Sequence, residues 1–115
     1  MGRLTTHVLD TESGIPARAM RVELHGGSPA VRISDTVTGD DGRSAGALLE
    51  GDTFKRGEYA LSFHVGDYFR SRGLPLAEPP FLDIVVIRFG IADLSSHYHV
   101  PLLVSRWSYT TYRGS

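Results

Sequence analysis

The chain has 115 residues, 41% of them hydrophobic and 22% charged, which fits one soluble globular domain, residues 1–115, with a modest core. Twelve basic residues against thirteen acidic ones leave a net charge of −1. With no basic block, nucleic acid and anionic membrane are excluded as expected partners. Zero cysteines exclude disulfides, thiolate catalysis and cysteine-ligated zinc. No apolar run approaches the ~18 residues of a membrane span. The first residues carry no hydrophobic signal core, so the expected location is cytoplasmic.

Leu4, Thr6 and Val8 alternate with Thr5, His7 and Leu9, the period-2 signature of a strand. Asp10 to Pro16 is turn-rich, with Ser13-Gly14 and Pro16. Met20, Val22 and Leu24 alternate with Arg21, Glu23 and His25, a strand with one dry and one wet face. Val31 and Ile33 begin a third strand, closed by the turn Gly39-Asp40-Asp41-Gly42, after which Arg43 follows directly. Ala47 to Phe54 reads as a short edge strand interrupted by Gly51.

Tyr59, Leu61, Phe63 and Val65 alternate with Ala60, Ser62 and His64 in the clearest strand of the middle region. Asp67 to Gly73 is the one helical signal, with an N-cap acid, late arginines and a glycine stop. Phe81 to Ile91 is β-branched and apolar on both faces except at Asp83 and Arg88, which predicts a central strand or one at a subunit contact. Tyr98, Val100, Leu102 and Val104 form another alternation, and Trp107 to Tyr112 a last one after a break at Ser105-Arg106. Seven or eight strands, short turns and one short helix predict an all-β, antiparallel β-sandwich, with a closed barrel as the alternative.

His97 and His99 lie two apart on the predicted strand, which would put their Cα atoms roughly 6.5–7 Å apart on one face. Such a pair could hold a metal, with His7 as a third ligand, or could simply pack and hydrogen-bond. There is no Gly-x-Ser-x-Gly and no outstanding carboxylate pair, so direct attack of water on an activated carbonyl is the simplest hydrolysis the composition allows. A histidine can trade a proton near neutral pH, and an arginine fork can stabilise developing negative charge. His25 and His64 carry no motif and read as structural.

Three blocks carry a resemblance. They are Leu4-Thr5-Thr6-His7-Val8-Leu9-Asp10 with Gly14-Ile15-Pro16-Ala17, then Asp41-Gly42-Arg43, and His97-Tyr98-His99-Val100-Pro101-Leu102-Leu103 with a final Tyr112-Arg113-Gly114-Ser115. Together, in order and over the whole chain, they resemble the transthyretin-related 5-hydroxyisourate hydrolases of urate breakdown. One departure is Arg106, which stands where the family pattern has a proline.

The resemblance implies a sandwich of two four-stranded sheets, a homotetramer with active sites in the channel between dimers, and no metal or other cofactor. It implies His7, Arg43, His99 and Ser115 as catalytic and makes His97 structural. It also implies Tyr112, Arg113, Gly114 and Ser115 as substrate-binding, with the Ser115 hydroxyl and carboxylate brought to the site by the chain end. Which histidine is the base stays open. The rival it carries is a transthyretin-type carrier of small ligands, which resembles this chain but has lysine in place of His7 and lacks the Tyr-Arg-Gly-Ser ending.

Overall fold

Alternation decides which side of each strand is dry. In β1 (Arg3–Asp10), Leu4, Thr6, Val8 and Asp10 are buried, while Thr5, His7 and Leu9 face outward and stay part-exposed. The same rule turns Val22 and Leu24 of β3 (Arg21–Gly26), Leu61 and Phe63 of β6 (Gly57–His64), and Tyr98, Val100, Leu102 and Val104 of β8 (Tyr98–Val104) toward one core. Each fully buried Leu, Val or Phe there stabilises the fold by roughly 1.5–3 kcal/mol relative to exposure.

The computed structural model describes residues 2–114. Among them, two sheets face each other. The first runs β2-β1-β8-β9, where β2 is Ile15–Pro16 and β9 is Tyr109–Thr111, with β5 (Leu49–Glu50) also paired to β1. The second runs β4-β3-β6-β7, with β4 at Val31–Val37 and β7 at Ile84–Ile91. The sandwich is the architecture expected from the strand pattern, with one refinement: β1 and β8 pair in parallel, Thr5 opposite His99 and His7 opposite Pro101. All other pairings are antiparallel.

The one α-helix among the described residues, α1, spans Val65–Ser71 and so begins two residues before Asp67, the expected cap. Val65 explains the shift. It continues the inward series of Leu61 and Phe63 and is fully buried, so the chain turns into the helix without leaving the core. Asp67 lies instead in the first helical turn, where the helix dipole favours an acid. Tyr68 of α1 donates its hydroxyl to the buried carboxylate of Asp10 at 2.8 Å. The other oxygen of Asp10 receives the backbone N–H groups of Glu12 and Ser13. That network ties the helix, the end of β1 and the β1–β2 loop together.

β7 corrects an expectation. It is an edge strand of its sheet, and its outer face leaves Ile84 and Val86 exposed. Of the two positions the sequence suggested, central is wrong and a contact surface remains. No helix among the described residues is long and apolar enough to cross a membrane.

Arg106 does with hydrogen bonds what a proline would do with its ring. Its backbone N–H and Nε donate to the two carboxylate oxygens of Glu12 at 3.0 and 2.7 Å, and Nη1 donates to the Pro75 carbonyl at 2.9 Å. The guanidinium also lies 5.4 Å from the centre of the Trp107 ring. Hydrogen bonding to Arg106 holds the Glu12 carboxyl below its ordinary range. The β8–β9 turn is therefore fixed to the β1–β2 loop, and the departure from the family pattern leaves it ordered.

Candidate active site

The outward face of β1, β8 and the last residues is where the singled-out side chains meet. Parallel register sets Thr5 beside His99, and His7 follows two residues further along β1. From the sheet spacings, the Cα atoms of His7 and His99 are about 8 Å apart on this diagonal. On the far side of β1, the segment after β4 closes a tight loop. Gly42 N–H donates to the Gly39 carbonyl, and Asp41 Oδ1 accepts from the Arg43 N–H at 2.9 Å. This delivers Arg43 to an isolated antiparallel bridge with His7. Gly42 is required there: its φ is +80°, and a Cβ would run into the Val8 carbonyl.

His7 Nε2 lies 2.7 Å from the Asp41 carbonyl oxygen. A carbonyl only accepts, so Nε2 carries the proton and Nδ1 is the unprotonated nitrogen of neutral His7. His99 is arranged the other way round. Its Nδ1 is 2.8 Å from Thr5 Oγ1, so Nε2 is the nitrogen left to meet a bound molecule. Burial first, then the Arg43 guanidinium and the His7 imidazole, push the His99 pKa below its ordinary value. At neutral pH His99 is an uncharged imidazole able to accept a proton.

A cleft of about 540 Å³ opens here, with Arg3, Thr5, Arg43, Ser44, His97 and His99 among its walls and no carboxylate among the described residues that line it. Its field is cationic, which suits an anionic or carbonyl-rich ligand. His97 sits just before β8 and is exposed, so the two histidines share the cleft without sharing the strand. Among the described residues, no group of three metal-ligating side chains forms.

The tail lies against the same region. Gly114 pairs with His99 in an isolated bridge, its N–H donating to the His99 carbonyl at 2.8 Å. Tyr112 is exposed. Arg113 folds back, its guanidinium 4.1 Å from the centre of the Tyr98 ring and Nη2 donating to the His97 carbonyl. It lines a neighbouring hollow with Ser95, Ser96, His97 and Gly114. Ser115, expected to be catalytic, lies outside the described residues. His64 is on the other sheet, bonded to Glu23 at 2.7 Å.

Sequence reasoning missed three members of this cluster. Thr5 read only as a strand residue, Arg3 carried no reading, and Asp41 read as turn chemistry. Nothing local marks Thr5, because its partner is 94 residues away.

A two-sheet sandwich with an uncharged histidine, a second histidine and an arginine over a cationic cleft defines a transthyretin-like protein equipped for acid–base chemistry. The chain belongs to the HIUase/Transthyretin family, whose model matches residues 4–114. It is 53% identical to the 5-hydroxyisourate hydrolase of Pseudomonas aeruginosa, over 100% of this chain and 93% of that protein. Among solved structures it resembles (S)-allantoin synthase, with a TM-score of 0.95 and 50% identity. That likeness covers 99% of this chain but only 44% of the synthase chain. Sea bream transthyretin in complex with thyroxine shares the fold at a TM-score of 0.86 with 25% identity, over 97% of this chain and 94% of that one.

Proposed function

We propose that this protein hydrolyses 5-hydroxyisourate, opening its six-membered ring at the C6 carbonyl to give 2-oxo-4-hydroxy-4-carboxy-5-ureidoimidazoline. The observation that carries the reading is the meeting of His7, Arg43 and His99 on one sheet face, in a chain half identical to a curated hydrolase. Nε2 of His99 takes a proton from water as its oxygen attacks C6. Arg43 stabilises the oxyanion that forms. Collapse breaks the bond from C6 to the ring nitrogen, and the imidazolium returns the proton to that nitrogen. His7, protonated on Nε2 by its bond to Asp41, orients the water through Nδ1. What supports His99 over His7 as the base is its open Nε2 together with its lowered pKa. The same reading gives Tyr112, Arg113, Gly114 and Ser115 the role of binding substrate.

The test is the decay of 5-hydroxyisourate, generated by urate oxidase and followed by absorbance, with and without this protein. A decay unchanged by the protein refutes the reading. Because His99 must be neutral to act, kcat/KM should fall on the acid side of a pKa lower than the usual 6.5 of histidine, and stay flat above it. An acidic limb lying above 6.5 would remove His99 from the role of base.

The same proposal includes a homotetramer working in the cytoplasm. Supporting the assembly are the edge strands β7 and β9, with Ile84, Val86, Trp107 and Tyr109 exposed on or beside them. Light scattering should give about four times the monomer mass, and a fully active monomer would refute it.

A further inference from the structure

Two consecutive threonines of β1 spend their hydroxyls differently. Thr6 points into the core and donates to the Val100 carbonyl at 2.7 Å, a buried bond between neighbouring strands. Thr5 points outward and spends its hydroxyl on a side-chain nitrogen, Nδ1 of His99, at 2.8 Å. Among the described residues, Oγ1 of Thr5 has no other hydrogen-bond partner. Parallel register places the two residues directly opposite each other, so the bond needs no unusual rotamer reach.

We propose that Thr5 is the positioning residue that fixes the tautomer of His99, its Oγ1 accepting from Nδ1–H so that the Nε2 lone pair faces the cleft. The inference rests on the hydrolase reading for its catalytic consequence, but its structural claim stands apart from that reading. A base acting at Nε2 must carry its resting proton on Nδ1, and that proton needs an acceptor. In serine hydrolases a carboxylate fills this place, and its charge also raises the affinity of the imidazole for a proton. A hydroxyl orients the ring without adding charge. That matches a site whose histidine is kept neutral by burial, Arg43 and His7.

The hydroxyl has a second property. It can accept from Nδ1–H throughout the cycle, both when His99 is neutral and when it is an imidazolium, because both forms keep that proton. Nothing at this end of the ring has to reorganise when the proton arrives at Nε2. Gly114 leaves room on the ring itself, since a Cβ there would lie 2.8 Å from Cδ2 of His99. The ring is thus held by a hydrogen bond at one edge and by close backbone packing at another.

The test uses the full chain with 15N-labelled histidine, wild type beside Thr5→Val and Thr5→Ser. In wild type at alkaline pH, the His99 ring should show a pyrrole-like Nδ1 and a pyridine-like Nε2. Thr5→Val keeps the β-branched shape, so the protein should fold with its melting temperature little changed. It should lose that tautomer signature and about 10–100-fold in kcat, with KM within about 2-fold. Thr5→Ser should restore both. A wild-type His99 protonated on Nε2 overturns the proposal, and so does a Thr5→Val enzyme with wild-type kcat. A wild-type protein with the expected tautomer but no effect on 5-hydroxyisourate would instead refute the hydrolase reading and leave the Thr5–His99 assignment in place.

Discussion

Replacing His99 by asparagine should lower kcat by about 10²–10⁴-fold, the range that a positioned general base contributes. Asparagine can keep a hydrogen bond to Thr5, but it cannot take a proton at neutral pH. The loss should therefore fall on kcat and much less on KM, with the fold intact. His7→Asn and Arg43→Gln should be severe as well, since one orients the water and the other meets the oxyanion. Because the three act on one step, a His7/His99 double replacement should cost little more than the worse single one. His97→Asn should be mild, as that side chain is exposed and lies outside β8. Steady-state kinetics on the four single variants and the double one decides the matter. An essential His97 with a dispensable His99 would mean that the cleft is worked from its rim, and the mechanism drawn from the Thr5–His99 register would be wrong.

The sequence carried the sandwich because alternation survives in the long strands. β1 buries every second residue throughout, β3 and β6 do so at Val22 and Leu24 and at Leu61 and Phe63, and β8 does so apart from a buried Pro101. Two features could not be read this way. β2 is two residues long, too short to show a period, and of the edge strand expected from Ala47 to Phe54 only Leu49–Glu50 forms before the chain turns at Gly51; β1 offers both an edge. The parallel pairing of β1 with β8 has no local mark at all, since alternation names a face and never a neighbour. β7 misled for a related reason. Apolar residues on both faces signal two covered faces, and in this chain the outer one, with Ile84 and Val86, is exposed.

The same division runs through the site. His7, Arg43 and His99 were legible only through their resemblance to a family, because a lone strand histidine is ordinarily unremarkable. The partners that give each its chemical state were hidden. Asp41 sets the His7 proton through a backbone carbonyl, which any residue possesses. Thr5 reaches His99 only once register is fixed. Arg113 was expected to touch substrate, and it lies over the Tyr98 ring, where it holds the segment leading into β8.

Gly114→Ala should lower kcat by about 100-fold, the cost of moving a reacting group by about an ångström. The added methyl would sit 2.8 Å from Cδ2 of His99, 3.1 Å from its Cβ and 3.2 Å from Cγ, too near for all three to stay. Two responses are open. The ring can rotate away, which breaks its bond to Thr5 and turns Nε2 from the cleft. Alternatively the tail can lift, which breaks the 2.8 Å bond from the Gly114 N–H to the His99 carbonyl. Either path costs activity, and neither touches the core. The residue follows a three-residue edge strand, and the buried side chains lie on the other side of the sheet. The melting temperature should therefore stay within a few degrees of wild type while turnover collapses. Deleting Arg113 to Ser115 should lower turnover at least as much, since it removes the backbone contact along with the side chains. A Gly114→Ala protein with full activity would mean that the His99 ring has slack, and that close packing by the tail plays no part in aiming it.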